Sequence, residues 1–424
     1  MTTERALIRP RPFQATLDVL HQVLAFEHPA DGVLSRYFRE QRTLGQSDRA
    51  FIAESVFGVL RHKRVLDALG AEGAPRRLLL GWLARFEQAA VSELAPVLKR
   101  GESEWLAGVE SASLDRLPLA VRAELPDWVY ERLHARMNES ELLALGEGLQ
   151  MPAPLDLRVN VVRAPRQSAL DALRESGIEA APTPYSPIGL RVRGKPAINR
   201  HPLFLDGTLE VQDEGSQLIG YLVAPRRREL VVDFCAGAGG KSLMLASLMH
   251  SQGRVYAFDV SAARIARMQP RLKRSGLSNV QPHLLANEHD TKVKRLAGKI
   301  DRVLVDAPCS GLGTLRRNPD LKWRQSPQAV QEMQVKQAAI LRAASRLVKT
   351  GGRLVYATCS LLAEENEAIV DAFLTDVPGF VERPAAELLK QQGIDLETGP
   401  RLRLWPHVHG TDGFFAAVLE RREA

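Results

Sequence analysis

The chain has 424 residues, enough for two or three domains, and its 45% hydrophobic and 25% charged content is that of a folded globular protein rather than a disordered or fibrous one. Lys and Arg outnumber Asp and Glu by 57 to 50, a net charge of +7 that suits a polyanionic partner without requiring one. Only three cysteines occur, Cys235, Cys309 and Cys359; their wide spacing argues against a zinc site or a disulfide scaffold and for reduced thiols in a cytoplasm. Met1 to Arg11 is polar and arginine-rich, without the apolar core of a signal peptide, and no run approaches the roughly 18 apolar residues of a membrane helix.

From about residue 13 to 145 the chain reads as helical throughout. Thr16 to Phe26 places Leu17, Val19, Leu20, Val23 and Leu24 on one broad face. A longer helix is expected from Ser47 to Leu69, with Ser47 and Asp48 as caps. Leu78 to Phe86 and Val121 to Met137 follow, the last broken at Pro126. The pattern changes near Pro152. Leu155 to Val162 and Gly189 to Val192 read as strands around a helix at Gln167 to Ser176, a small mixed segment ending near Pro225. From Leu230 strands and helices alternate: Leu230 to Phe234, Val255 to Asp259, Arg302 to Asp306 and Arg353 to Thr358 are strands, with a helix at Ser242 to Met249. Such alternation predicts an α/β domain, a parallel sheet covered by helices on both faces, with ligands at the carboxyl ends of its strands. The organisation is therefore residues 1–145, 146–225 and 226–424.

Every chemically equipped motif falls at one of those strand ends. Asp233-Phe-Cys235-Ala236-Gly237-Ala238-Gly239-Gly240-Lys241 is a glycine-rich turn that lets backbone approach a ligand, before a helix N-terminus that favours negative charge. Alone it is equally a plain strand-to-helix connection, and it lacks the spacing of a phosphate-binding loop, which counts against an ATPase. Asp259 closes the next strand, placed for ribose hydroxyls or for a helix cap. Asp306-Ala-Pro-Cys309-Ser and Tyr356-Ala-Thr-Cys359-Ser put an acid and two thiols at the ends of two strands expected to be neighbours. A lone cysteine is usually a buried structural one, but two such Cys-Ser pairs at adjacent strand ends point to one cleft. Between them, Leu315 to Arg324 surrounds Trp323 with four basic residues. That is either a phosphate-binding and base-stacking loop or a solvated loop with one packed aromatic.

These blocks, in this order, resemble the Nop/Sun family of RNA cytosine-5 methyltransferases over about residues 140–424. Asp306-Ala-Pro-Cys-Ser-Gly, Tyr356-Ala-Thr-Cys-Ser-Leu-Leu-Ala-Glu-Glu-Asn366-Glu367 and the tail Trp405-Pro-His with Gly410-Thr-Asp-Gly-Phe-Phe415 carry the likeness. The helical part, with Ser47-Asp48-Arg49-Ala50-Phe51, resembles more loosely the NusB-like RNA-binding domain of the bacterial small-subunit ribosomal RNA members. The resemblance implies a Rossmann-like class I methyltransferase domain, with Cys359 as nucleophile, Cys309 assisting product release and Asp306 at the base. It implies S-adenosylmethionine on Cys235 to Lys241, Asp259 and Asp306. Ala238 stands where the family usually has proline, and Asn287 is the candidate for a contact usually made by an acid after the third strand.

The expected function is methyl transfer to C5 of a cytosine in 16S ribosomal RNA, by a monomer needing no metal or membrane. Transfer RNA is the alternative substrate, since the catalytic motifs do not encode it. A non-catalytic RNA-binding assembly factor would have no need of both cysteines, Asp259 and the glycine turn together. A metabolite methyltransferase or nucleotide-binding oxidoreductase fits neither the paired cysteines nor the three-part build.

Overall fold

The computed structural model describes residues 7–194 and 196–422, which form two compact units. One runs to Pro152 and includes Thr314–Ser326; the other comprises Ala153–Gly313 and the residues from Pro327 onward.

The first unit is built of helices, the longer ones being Pro10–Val23, Ala30–Glu40, Gln46–Leu66, Pro75–Arg85, Glu102–Ser111, Asp127–His134 and Glu139–Gln150. The first begins before its apolar stripe does, because Pro10 fits a first turn where no backbone donor is needed. Ser47 and Asp48 do not cap the third helix: Gly45 holds that position, and Asp48 pairs instead with Arg9. That helix also stops at Leu66, where a π turn over Asp67–Ala71 takes over. Pro126 is the predicted break, standing as the N-cap of Asp127–His134. Leu20, Ile52, Leu60 and Leu78 to Leu80 fill the core, and Gly58 admits Trp82, whose indole would lie 2.1 Å from any Cβ there.

The basic loop around Trp323 is a packed part of this unit, not a free cationic surface. The indole joins the helical core and donates through Nε1 to the Leu60 carbonyl at 3.3 Å. Lys322, only 4% exposed, donates to the carbonyls of Arg61 and Glu124 at 2.9 and 2.8 Å. The aromatic is packed, as one of the two readings had it, but the loop is not solvated: Leu315, Arg316, Asp320 and Lys322 are buried as well.

The second unit holds two sheets. In the smaller, β1 (Leu155–Val159), β2 (Ala180–Pro182), β3 (Gly189–Val192) and β4 (Leu209–Val211) run antiparallel in the order β2-β3-β1-β4. Helix Arg166–Glu175 covers one face through Leu170 and Leu173. The larger sheet contains β5 (Leu230–Asp233), β6 (Arg254–Asp259), β7 (Val280–Leu284), β8 (Ile300–Asp306), β9 (Val348–Thr358), β10 (Phe380–Arg383), β11 (Leu402–Leu404) and β12 (Phe414–Arg421). Its order is β10-β12-β9-β8-β5-β6-β7, with β11 on β12; the run from β9 to β7 is parallel, and β12 is antiparallel to β9, β10 and β11.

Both faces of this sheet are buried, so its central strands are continuous apolar runs whose residues alternate between two cores. Val231, Leu304 and Val355 enter one with helices Glu214–Val223 and Gly240–Leu248. Val232, Val303, Val305 and Tyr356 enter the other with helices Pro327–Ser345 and Glu367–Asp376. From β5 the chain winds outward through β6 to β7, then returns to β8 on β5's other side. That switch point is where an open α/β sheet leaves a crevice.

Candidate active site

Asp233, Asp259 and Asp306 end β5, β6 and β8, and Cys359 follows the last residue of β9. Beside them opens a cavity of about 680 Å³, walled by Phe234, Cys235, Leu285 and Ile340, with Asp259, Glu288 and Asp306 as its acids. Of the turn Cys235–Lys241, Cys235 lines this cavity; burial first, then the Asp233 charge, raises its thiol well above the ordinary range. Ala236 ties the turn to β6 by donating to the Phe258 carbonyl at 2.8 Å. Gly237 donates at 2.9 Å to Asp259, whose other oxygen accepts from Ser261 at 2.7 Å. Gly239, closing the turn onto Ala236, has φ +85°, and a Cβ there would meet Met268 at 2.5 Å, so both backbone and space demand glycine. Ala238 fills the family's proline position with its carbonyl held by Arg271 at 2.7 Å, and Gly240 opens the helix.

Two of the candidate side chains stand apart from the cavity. Lys241 does not face the cavity: its ammonium donates to Asp306 at 2.8 Å and lies 5.4 Å from the Phe414 ring centroid. Burial works against its charge, but Asp306 and, after it, Cys359 raise the amine above its usual range, so it stays protonated. Asp306 is thereby an ion-paired carboxylate rather than a free acid. Asn287 is exposed and spends its carbonyl on the His289 amide at 2.8 Å, whereas the next residue, Glu288, lines the cavity. The Asx turn at Asn287 points that side chain back at its own backbone, so Glu288 is the better candidate for a ligand contact.

The two strand-end thiols meet. Cys309 Sγ and Cys359 Sγ are 3.5 Å apart, both free. The hydrogen bond to Cys359 and then burial push the Cys309 thiol well above its ordinary range. Glu365, which sequence reasoning quoted without a role, holds the two loops in place. Wholly buried, it accepts from the Ser310 amide at 2.8 Å, the Ser310 hydroxyl at 2.5 Å and Gln337 at 3.0 Å, and also from the Ser360 hydroxyl. Each serine follows one of the cysteines, and Gln337 also donates to the carbonyl of Pro308 at 2.9 Å. All four acceptor positions of one carboxylate are thus used to lock both Cys-Ser pairs. The repeated Cys-Ser was the visible signal; its shared acid was not. Among the described residues no group of His, Cys, Asp and Glu could hold a metal.

Comparison with known proteins agrees with this build. The family model described as 16S rRNA methyltransferase RsmB/F matches residues 220–420, and a ferredoxin-like domain of RsmF/B-like methyltransferases matches residues 125–199. Ribosomal RNA small subunit methyltransferase B of Sodalis glossinidius is 31% identical over 408 residues, 89% of this chain and 91% of that protein. The crystal structure of PH0851 superposes with a TM-score of 0.80 at 25% identity, over 99% of this chain and 100% of that one. That of NSun6 from Pyrococcus horikoshii with SFG shares the fold, with a TM-score of 0.62 at 21% identity over 70% of this chain and 99% of that one. With a Rossmann-like domain, two strand-end cysteines and a relative aligned along nearly its whole length, the chain belongs to the RsmB/F family of 16S rRNA methyltransferases within the Nop/Sun group.

Proposed function

We propose that the protein methylates C5 of a cytosine in small-subunit ribosomal RNA through a transient bond between Cys359 and C6 of the base, with S-adenosylmethionine as methyl donor. The observation that carries this reading is the pair of free thiols 3.5 Å apart, at strand ends shared with the Asp306–Lys241 ion pair. The cavity fits the donor: its volume lies within the roughly 300–1,000 Å³ of small-molecule sites. Phe234, Leu285 and Ile340 offer an apolar slot for a purine, and Asp259 and Glu288 are acceptors for hydroxyls. The wall carries three acids against two cations, Arg264 and Lys336, a net negative balance that suits a sulfonium charge, and SFG, seen with the archaeal neighbour, is an analogue of the same compound. When bound, that compound supplies an electrophilic methyl group.

The chain's own residues do the rest. Cytosine C5 is a poor nucleophile until a thiolate adds to C6. Cys359 forms the S–C6 bond, and the displaced C5=C6 pair makes C5 nucleophilic, with charge spread toward N3. The Lys241 ammonium gives Asp306 one of its three N–H bonds and has others to offer as a hydrogen bond where that charge develops. Once Cys359 is bonded to carbon it no longer opposes ionisation of Cys309, whose proton passes to solvent. Cys309 then takes the C5 proton, the C–H pair restores C5=C6, and the S–C6 bond breaks to return the Cys359 thiolate. The target base must leave its stack, which is cheapest in a loop or bulge. Residues 1–145, together with exposed side chains of residues 146–225, hold the RNA that presents it.

Bisulfite sequencing of total RNA from cells with and without the protein tests this. One protein-dependent, conversion-resistant cytosine in small-subunit RNA is expected, absent when only Cys359→Ala protein is made. A protein-dependent site in transfer RNA instead would reassign the substrate, and none anywhere would remove the cytosine-5 chemistry.

A further inference from the structure

We propose that the small four-stranded sheet is a working part of the cofactor site: Arg158 and Arg271 hold the glycine turn in its ligand-ready shape through the turn's own carbonyls, and Glu210 steadies Arg271. Arg158 on β1 and Glu210 on β4 stand directly opposite each other in register. Arg158, 3% exposed, donates through Nη1 to the Gly240 carbonyl at 2.9 Å. Arg271, from the helix Ala262–Ser275 that follows β6, donates through Nη1 to the Ala238 carbonyl at 2.7 Å. Glu210, 9% exposed, accepts from Arg274 at 2.8 Å and lies 3.4 Å from Arg271 Nη2.

Burying a guanidinium is expensive unless its bonds do something. Burial lowers the Arg158 pKa only to about 10, so the charge is present at neutral pH. A peptide unit is planar and trans, so fixing its carbonyl fixes its N–H on the opposite side. Holding Ala238 O sets the Gly239 amide onto Ala236 O at 2.9 Å, which closes the tight turn. Holding Gly240 O aims the Lys241 amide out of the helix N-terminus, where an anionic ligand group binds. Two cations on these carbonyls also polarise the same peptides toward that group. The sheet is fastened there further: Asn160, just after β1, donates to Ser275 O at 3.1 Å and accepts from Ser247 at 3.0 Å, and Arg163 donates to Ser275 O at 3.0 Å. Arg158, Arg271 and Glu210 are therefore positioning residues that act through the turn.

This rests on the S-adenosylmethionine reading above, and calorimetric titration of the full chain with that compound tests it. Arg158→Met and Glu210→Gln should each raise its Kd on the order of tenfold. The Kd for unmethylated small-subunit RNA should stay unchanged, and Arg158→Lys should recover part of the loss. Wild-type cofactor affinity in folded variants overturns the proposal. So does a loss of cofactor and RNA binding in equal measure that follows a lowered Tm, the mark of a brace with no part in the site. If Arg158→Met does not fold, Arg271→Met, at a side chain 23% exposed, gives the same reading. No binding by the wild-type chain sinks the cofactor assignment itself, and the proposal with it.

Discussion

The Cys309 and Cys359 thiols lie 3.5 Å apart, yet their surroundings differ. Cys359 stands within electrostatic reach of the Lys241 ammonium, while Cys309 carries a thiol held protonated by its neighbour and by burial. Their alanine variants should therefore fail differently. Cys359→Ala should give neither adduct nor product. Cys309→Ala should still attack and methylate but release its RNA about 10²–10⁴-fold more slowly, the usual worth of a lost proton acceptor. Denaturing electrophoresis then shows a protein–RNA adduct in Cys309→Ala alone, gone in the double variant; the reverse pattern would exchange the two roles. Glu365 governs both loops, and its replacement separates shape from charge. Glu365→Ala strands two buried hydroxyls and an amide and should cost about 3 kcal/mol in urea unfolding, with adduct formation lost. Glu365→Gln can accept from the amides while its nitrogen donates to the serine hydroxyls, so it should keep most of both. A Gln variant as damaged as Ala would show that the carboxylate's charge, not its bonding, is what the loops need.

At the scale of elements, the parallel sheet was legible because strands buried on both faces are apolar throughout, and Val231 to Asp233, Val303 to Asp306 and Leu354 to Thr358 are such runs, each ending in a polar group. The strand-end acids and thiols followed from that placement. Glu365 was not legible, because two of its three partner residues, Ser310 and Gln337, lie 55 and 28 residues away on other elements, and nothing local marks a buried acid. Lys322 and Trp323 were misleading for the same reason: a run of basic residues looks solvated until chain some 200 residues distant covers it. His62 shows a further hidden consequence. It stacks on Phe86 at 3.7 Å between centroids, and burial, then Lys322 and Arg61, lower its pKa to about 3. A lowered histidine pKa favours the neutral form, so the stability it contributes is full above about pH 6.5, its unfolded value, and is lost as pH falls toward 3. Glu124, raised to about 7 by burial, has the opposite slope between its unfolded value of 4.5 and 7, so the two offset each other there and the histidine acts alone below. His62→Phe should accordingly move the midpoint of acid unfolding, followed by circular dichroism, to lower pH. An unchanged midpoint would mean that the imidazole is charged or solvated in the folded state.

For the whole molecule, the decisive feature is a chain path. Thr314–Ser326 leaves the second unit just after the Cys309 loop and folds within the first, where Leu315 and Arg316 are buried and Ala30 donates to Asp320 at 3.3 Å. The helical residues are thus the folding partner of a segment only a few positions downstream of Cys309. Removing residues 1–145 deletes that partner. It exposes Leu315 and Trp323 and leaves Lys322 without the Glu124 and Arg61 carbonyls that receive its charge. A chain starting near residue 146 should therefore aggregate, and Leu315→Ser with Trp323→Ser should restore its solubility, as read by size-exclusion chromatography. The soluble form keeps Arg158, Glu210 and the glycine turn, so it should bind S-adenosylmethionine with nearly the full-length Kd. It should nevertheless methylate structured RNA with kcat/KM reduced by about 10²-fold or more, because misplacing a target base by an ångström already costs that much. If the simple truncation is soluble and matches the full chain on structured RNA, the helical residues neither support the loop nor hold the substrate.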